Sequence, residues 1–198
     1  MKKLTRDGLC YFLLSIVLLA SLSGCRDKVF TAIDITGAEF GKDFKLTDHK
    51  GRTRTLADFK GNAVVMFFGY TNCPDVCPTT MSDMSQALSL LGKNADKVKV
   101  IFVTIDPARD TQDLLSKYVP AFNSDFIGMY GDDATTAIVA KEFRIFFQKN
   151  KPNSRGNYTV DHTAGTYVFD PSGKLRLFMK YGQGAESIAH DLRELLRN

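Results

Sequence analysis

Two cysteines, Cys73 and Cys77, are separated by three residues in Phe67-Phe68-Gly69-Tyr70-Thr71-Asn72-Cys73-Pro74-Asp75-Val76-Cys77-Pro78. Thiols at this spacing can close a disulfide or converge on one soft metal ion. A bridge over so short a loop removes little chain entropy, so it would be a weak staple, and redox or metal chemistry is the better reading. Thiolates favour Cu(I) over hard cations such as Mg²⁺ or Ca²⁺. A structural zinc takes four protein ligands. Past residue 25 the chain offers only these two cysteines and three histidines, His49, His162 and His190. Proline is preferred at the first position of a helix, which makes Cys77 the expected N-cap of a helix opening at Pro78. Orphan N–H groups and the dipole there would lower its pKa. Cys73 is expected on the loop, more exposed.

The thiols sit at the junction of two elements. Residues 63–68 are a continuous apolar run, the pattern of a strand covered on both faces of a parallel sheet. After Pro78, Met81, Met84, Leu88 and Leu91 recur at helical spacing and stop at Gly92. Upstream, residues 43–56 read as a hairpin turning at Asp48-His49-Lys50-Gly51. Downstream, 98–105 is a second buried strand, broken at Asp106-Pro107 and followed by a short helix that Asp106 and Asp110 are expected to cap, the alternative being an acceptor-facing surface near the thiols. Residues 126–130 form a strand. Asp132-Asp133 open another helix, 144–149 are extended and 151–157 are a polar loop. Residues 158–169 and 174–179 pair about Asp170-Pro171-Ser172-Gly173, and an amphipathic helix closes the chain through Ile188, Leu192 and Leu195. Alternating strands and helices, then a hairpin and a final helix, describe an α/β protein with a three-layer, thioredoxin-like fold. Its central sheet is mixed, with an N-terminal β-hairpin extension.

Within that fold the three histidines are not equivalent. His49 lies in a hairpin turn, where exposure to solvent is expected. His190 lies on the terminal amphipathic helix, where a surface or hydrogen-bonded role is expected. His162, in Asp161-His162-Thr163-Ala164, precedes a strand neighbouring the one that feeds the thiol loop. Thioredoxin enzymes place a cis-proline there; this chain has none at that spot. A histidine there would make a three-ligand Cys₂His site, suited to copper and open to exchange. The alternative is a core histidine bonded to Asp161.

The stretch from Gly69 to Pro78 resembles the signature of Sco/SenC proteins. Phe59-Lys60-Gly61, Ile105-Asp106-Pro107-Ala108-Arg109-Asp110-Thr111, Asp161-His162, Tyr167 and Asp170-Pro171-Ser172-Gly173 follow in the family's order. Asn72 stands where many members carry histidine, and Thr79-Thr80 where acidic residues are common. The resemblance spans about residues 40–197. It implies a thioredoxin-like domain that binds one copper, Cu(I) or Cu(II), through Cys73, Cys77 and His162. It further implies receipt of copper from a donor chaperone and delivery to the CuA centre of cytochrome c oxidase subunit II. The competing reading is a thiol–disulfide reductase that keeps acceptor cysteines reduced; the missing cis-proline and wider cysteine spacing weigh against it. A thiol peroxidase would need an arginine at the thiolate. Arg109 is a candidate, but Cys77-Pro78 does not resemble a peroxidase signature. Copper or redox sensing would use the same ligands.

Composition sets the remaining limits. The chain has 198 residues, 44% hydrophobic and 24% charged, ordinary for a globular domain. Its net charge of +4 contains no basic block, so nucleic-acid binding is not expected. Lys2, Lys3 and Arg6 precede an apolar run that ends in Leu22-Ser23-Gly24-Cys25. This pattern resembles a bacterial lipoprotein leader, 1–24, with Cys25 lipidated. The expected organisation is then a tether over 25–40 and the folded domain over 41–198. The domain would be extracytoplasmic and lipid-anchored, with the cytoplasmic membrane the expected one. Removing the leader takes out three cations and one anion and leaves a net charge of about +2. Disulfides are permitted in that compartment.

Overall fold

The computed structural model describes residues 28–197. The leader and Cys25 therefore lie outside the described residues. The strands are β1 (Ile33–Asp34), β2 (Lys45–Asp48), β3 (Thr53–Thr55), β4 (Ala63–Gly69), β5 (Val98–Thr104), β6 (Ile127–Tyr130), β7 (Phe147–Lys149), β8 (Val160–His162), β9 (Gly165–Phe169) and β10 (Leu175–Lys180). The helices are α1 (Val76–Leu91), α2 (Gln112–Tyr118), α3 (Asp133–Glu142) and α4 (Ala185–Leu196). Eight strands form one sheet in the order β1-β10-β9-β4-β5-β6-β2-β3. The β4–β5 and β5–β6 pairs are parallel and the others antiparallel, so the sheet is mixed. The expected hairpin, β2–β3, extends it by pairing with β6.

Every residue of β4 is buried, which is why it reads as an unbroken apolar run. Phe67 points to one face, beside Phe102, and Phe68 to the other, against Phe143 and Tyr167. Helix α1 covers the Phe67 face with Met81, Met84 and Leu88, and α4 lies beside it with Ile188, Leu192 and Leu195. Phe143, just past α3, fills the opposite face against Phe68, Tyr167 and Phe169. Helices on both faces of the sheet make the three expected layers. The Asp170-to-Gly173 turn is as expected: Asp170 Oδ1 accepts from Ser172 N and Lys174 N, and Gly173 takes φ +84°.

Four expectations change. First, α1 opens at Val76, with Asp75 as N-cap, so Cys77 is its second residue and Pro78 its third. The N–H groups of a first helical turn have no intrahelical partner, so proline costs nothing there. Second, the helix after Pro107 is capped by Thr111, whose hydroxyl accepts from Leu114 N, and not by Asp106 or Asp110. Third, residues 158–169 are not one strand. Val160–His162 leaves the sheet to pair with β7, and Gly165–Phe169 joins β4. Fourth, residues 28–40, expected within the tether, belong to the fold. β1 pairs with β10, and buried Asp191 accepts from Thr31 N, Thr31 Oγ1 and Ala32 N. A carboxylate that satisfies two backbone donors and a hydroxyl fixes a segment whose composition alone looks like a linker.

Candidate metal centre

Strand β4 delivers the thiol loop. It ends at Gly69, whose carbonyl is fixed by Ile105 N at 2.9 Å. The loop turns at once, with Cys73 N donating to Tyr70 O at 3.2 Å. Chain direction then reverses into α1, bringing Cys77 back under the end of β4. A Cβ added at Gly69 would stand 2.8 Å from Cys77 Sγ, so only glycine leaves room for this sulfur. Cys77 is fully buried and Cys73 half-buried, and both thiols are free.

Enclosure reverses the expected acidity of Cys77. Burial is the largest influence and pushes its thiol well above the usual range, and nearby Cys73 and Asp110 add to the shift. The Tyr70 backbone pulls the other way without compensating. A buried thiolate lacks solvation, and one position inside a helix N-terminus does not replace it.

His162 enters from β8. Its Nδ1 lies 3.0 Å from Thr163 O, so Nδ1 must carry the proton that it donates to the carbonyl. The lone pair is thereby left on Nε2, which lies 3.9 Å from Cys77 Sγ. A backbone carbonyl that fixes the tautomer of a ligating imidazole is a recurrent outer-shell device. Burial lowers the pKa of His162 and keeps it neutral, the form that ligates, while Thr163 and Asp161 act in the opposite sense. Asp161 itself bonds to Asn150 Nδ2, so a core histidine held by Asp161 is not what the structure contains. Tyr70 and Phe67 pack edge-on to the imidazole, with centroids at 6.1 and 6.5 Å. Burial is the largest influence on the Tyr70 hydroxyl and raises its pKa, and the two nearby thiols act in the same sense.

Cys73, His162, Tyr70 and Asp161 line one open cleft, and Cys77 is buried behind it, with its Sγ 3.9 Å from His162 Nε2. The donor types, two sulfurs and an imidazole nitrogen, match what copper takes. Among the described residues, no three His, Cys, Asp or Glu side chains are yet gathered closely enough to hold an ion. The half-buried Cys73 is the donor with room to move.

The other histidines are elsewhere. His49, expected in solvent, is buried, and its Nδ1 accepts from Gly128 N at 2.9 Å. Its turn is folded back on β6, so a sequence signal for exposure is overridden by tertiary packing. His190 bonds to Val29 O at 3.0 Å, a surface contact as expected. Asp106 and Asp110 were expected as helix caps, with a surface near the site as the alternative, and the bonds by which they and Arg109 hold the loops were not foreseen. Asp110 accepts from Thr71 N at 3.0 Å, Thr71 Oγ1 at 2.5 Å and Thr104 Oγ1 at 2.6 Å, which holds the thiol loop to the end of β5. The available signal was position: these residues follow the carboxyl end of a parallel strand, where α/β sheets build sites.

The sequence profile described as SCO1/SenC matches residues 34–197. A SCO2-like protein of Rickettsia felis is 36% identical over 137 residues, covering 69% of this chain and 67% of the relative. The solved structure of Bradyrhizobium japonicum ScoI with copper bound is 40% identical, with a TM-score of 0.73, covering 80% of this chain and all of that one. Apo Sco1 of Thermus thermophilus is 34% identical, with a TM-score of 0.77 and coverages of 87% and 100%.

Proposed function

The chain belongs to the SCO1/SenC family, and from that premise we propose that it is a copper metallochaperone. In this reading it binds one copper through Cys73, Cys77 and His162 and delivers it to the CuA site of cytochrome c oxidase subunit II. The observation that carries the ligand assignment is the tautomer of His162: Nδ1 is engaged by Thr163 O and the free lone pair of Nε2 lies toward Cys77. The copper-bound state of the Bradyrhizobium relative supports the cargo.

Copper is the cargo, and the residues divide the work of holding it. The thiols of Cys73 and Cys77 shed their protons on capture, and the two sulfurs suit Cu(I). The imidazole of His162 adds a donor that suits Cu(II). Burial of Cys77 keeps solvent from one side, and the open cleft at Cys73 leaves the other side free for an incoming ligand of the acceptor. Release then proceeds by ligand exchange, one bond at a time, with the acceptor's donors replacing Cys73 first. Lipidation at Cys25 would tether the domain on the extracytoplasmic side of the membrane, where a donor chaperone supplies it. Among the described residues, no helix is long and apolar enough to cross a membrane.

The same pair could reduce a disulfide on an acceptor. The high pKa of buried Cys77 weighs against it as an attacking group and leaves Cys73 as the nucleophile. The test is His162→Ala in the reduced protein, with Cu(I) and Cu(II) affinities measured by competition. Cu(II) affinity should fall at least about tenfold, since loss of even an outer-shell partner costs that much, while Cu(I) affinity changes much less. Equal losses, or none, would remove His162 from the site. Disulfide reduction surviving that substitution with copper binding absent would favour the reductase.

A further inference from the structure

His162 stands on an unusual support. β7 and β8 form a two-stranded ribbon outside the main sheet, with Phe147 paired to His162 and Lys149 to Val160. So short a ribbon is marginal alone, yet it must present an imbidazole-bearing residue within reach of a sulfur fixed beneath β4. Something other than the sheet holds it there.

We propose that Arg109 is the positioning residue for this site, binding the His162 ribbon to the segment that also holds the thiol loop; this rests on the copper reading above. Arg109 Nη1 donates to Tyr158 O at 2.8 Å, and its guanidinium lies 3.6 Å from the centre of the Tyr158 ring. The same guanidinium lies 5.7 Å from the Tyr70 ring, on the thiol loop. Its Nε pairs with Asp106, which is fully buried. Asp106 in turn accepts from the Tyr158 hydroxyl at 2.9 Å and pairs with Lys149 Nζ at 3.2 Å. Lys149 is the last residue of β7, and Tyr158 stands two residues before β8. Both ends of the ribbon's connecting loop are therefore fastened to Asp106 and Arg109. One residue on, Asp110 fastens Thr71 of the thiol loop. Residues 106–110 thus tie the segment of Cys73 to the segment of His162, and the arginine is the member that touches both aromatic partners.

The chemistry requires arginine. Only a planar guanidinium can pair with a carboxylate along one edge, donate to a carbonyl from another and stack face-on against a ring. Lysine keeps the charge and loses the geometry. Arg109 lies outside hydrogen-bond contact with the thiols and His162, so its effect on copper is indirect.

The test uses the full chain, reduced, as wild type, Arg109→Ala and Arg109→Lys, with His162→Ala as the reference for a lost imidazole. Tyr158→Phe, which removes the hydroxyl bond to Asp106, serves as a milder variant if Arg109→Ala does not fold. Hydrogen exchange on the copper-free protein reads the ribbon directly. Amides of residues 147–150 and 160–163 should exchange about tenfold faster or more in the variants, while those of β4 and β5 keep their wild-type protection. Titration with Cu(II) should show affinity down about tenfold with a charge-transfer band altered toward that of His162→Ala, and Cu(I) affinity within about threefold of wild type. Unchanged ribbon exchange, or a uniform loss of protection across β4 and β5, overturns the positioning role whatever copper does. Loosened ribbon exchange with Cu(II) binding unaltered also overturns it, while leaving the copper reading intact. A wild-type protein whose Cu(II) band is indifferent to His162→Ala overturns both.

Discussion

A sulfur as enclosed as that of Cys77 reacts slowly with anything larger than an ion. Burial pushes its thiol up, whereas Cys73 sits half-buried at the mouth of the cleft. Alkylation by iodoacetamide at neutral pH, followed on Cys73→Ser and Cys77→Ser, should therefore be at least about tenfold faster at Cys73, since the raised pKa and the enclosure of Cys77 both slow its reaction. Equal rates would mean that Cys77 is open to solvent. Gly69→Ala should be costly for the same reason, since its Cβ would fall 2.8 Å from Cys77 Sγ and close to Phe67 and Phe102. Overpacking here is expected to lower stability by about 2 kcal/mol in denaturant unfolding and to weaken copper binding as well. At this scale the sequence pointed to the site proposed above but misread its surroundings. Residue type and spacing singled out Cys73, Cys77 and His162. The acidity of Cys77 was misjudged, because a helix terminus is a local feature and burial is a tertiary one. The burial of His49 was hidden likewise, since the β6 backbone that covers it lies far along the chain.

At the scale of elements, the β2–β3 hairpin turns on one carboxylate. Asp48 is buried, which alone would raise its pKa, but the backbone N–H groups of Lys50 and Arg52 and the Arg52 and Arg54 side chains outweigh burial and lower it. A carboxyl whose folded pKa lies below its unfolded value of 3.8 stabilises fully above that value, and the contribution is lost as pH falls through the lowered one. Asp48→Ala should cost about 2 kcal/mol at neutral pH and flatten the loss of stability below about pH 4, measured by thermal unfolding against pH. An unchanged acid limb would move that role to other carboxylates. Most elements were legible. The apolar run of β4, the heptad-like spacing of α1 and the turn at Asp170 to Gly173 each carry a local signal that packing only confirms. Extended chain at 147–149 and 160–162 was legible, but the pairing of β7 with β8 outside the sheet was not, because strands of three residues carry no periodicity that says where they pair. The ribbon leaves the sheet because charged and aromatic partners hold it elsewhere.

For the molecule as a whole, the thioredoxin-like body is closed by contacts distant in sequence. Buried Asp191 on α4 gathers Thr31, Ala32 and Gln183, and Lys28 Nζ reaches Arg197 O at 2.7 Å. Asp191→Ala should leave two backbone donors unpaired and lower stability by about 3 kcal/mol. Limited proteolysis should then cut within residues 28–34 before the rest of the domain; a wild-type cleavage pattern would show that β1 pairing suffices without the clasp. The boundary was unreadable in sequence because it depends on a helix some 160 residues away. The central proposal is that Cys73, Cys77 and His162 hold a single copper. X-ray absorption at the copper edge of the loaded full chain tests it most directly. One copper per chain is expected, with sulfur from two thiolates and nitrogen from one imidazole, the imidazole signal disappearing in His162→Ala. A coordination shell without two sulfurs, or an imidazole signal that survives His162→Ala, would contradict it.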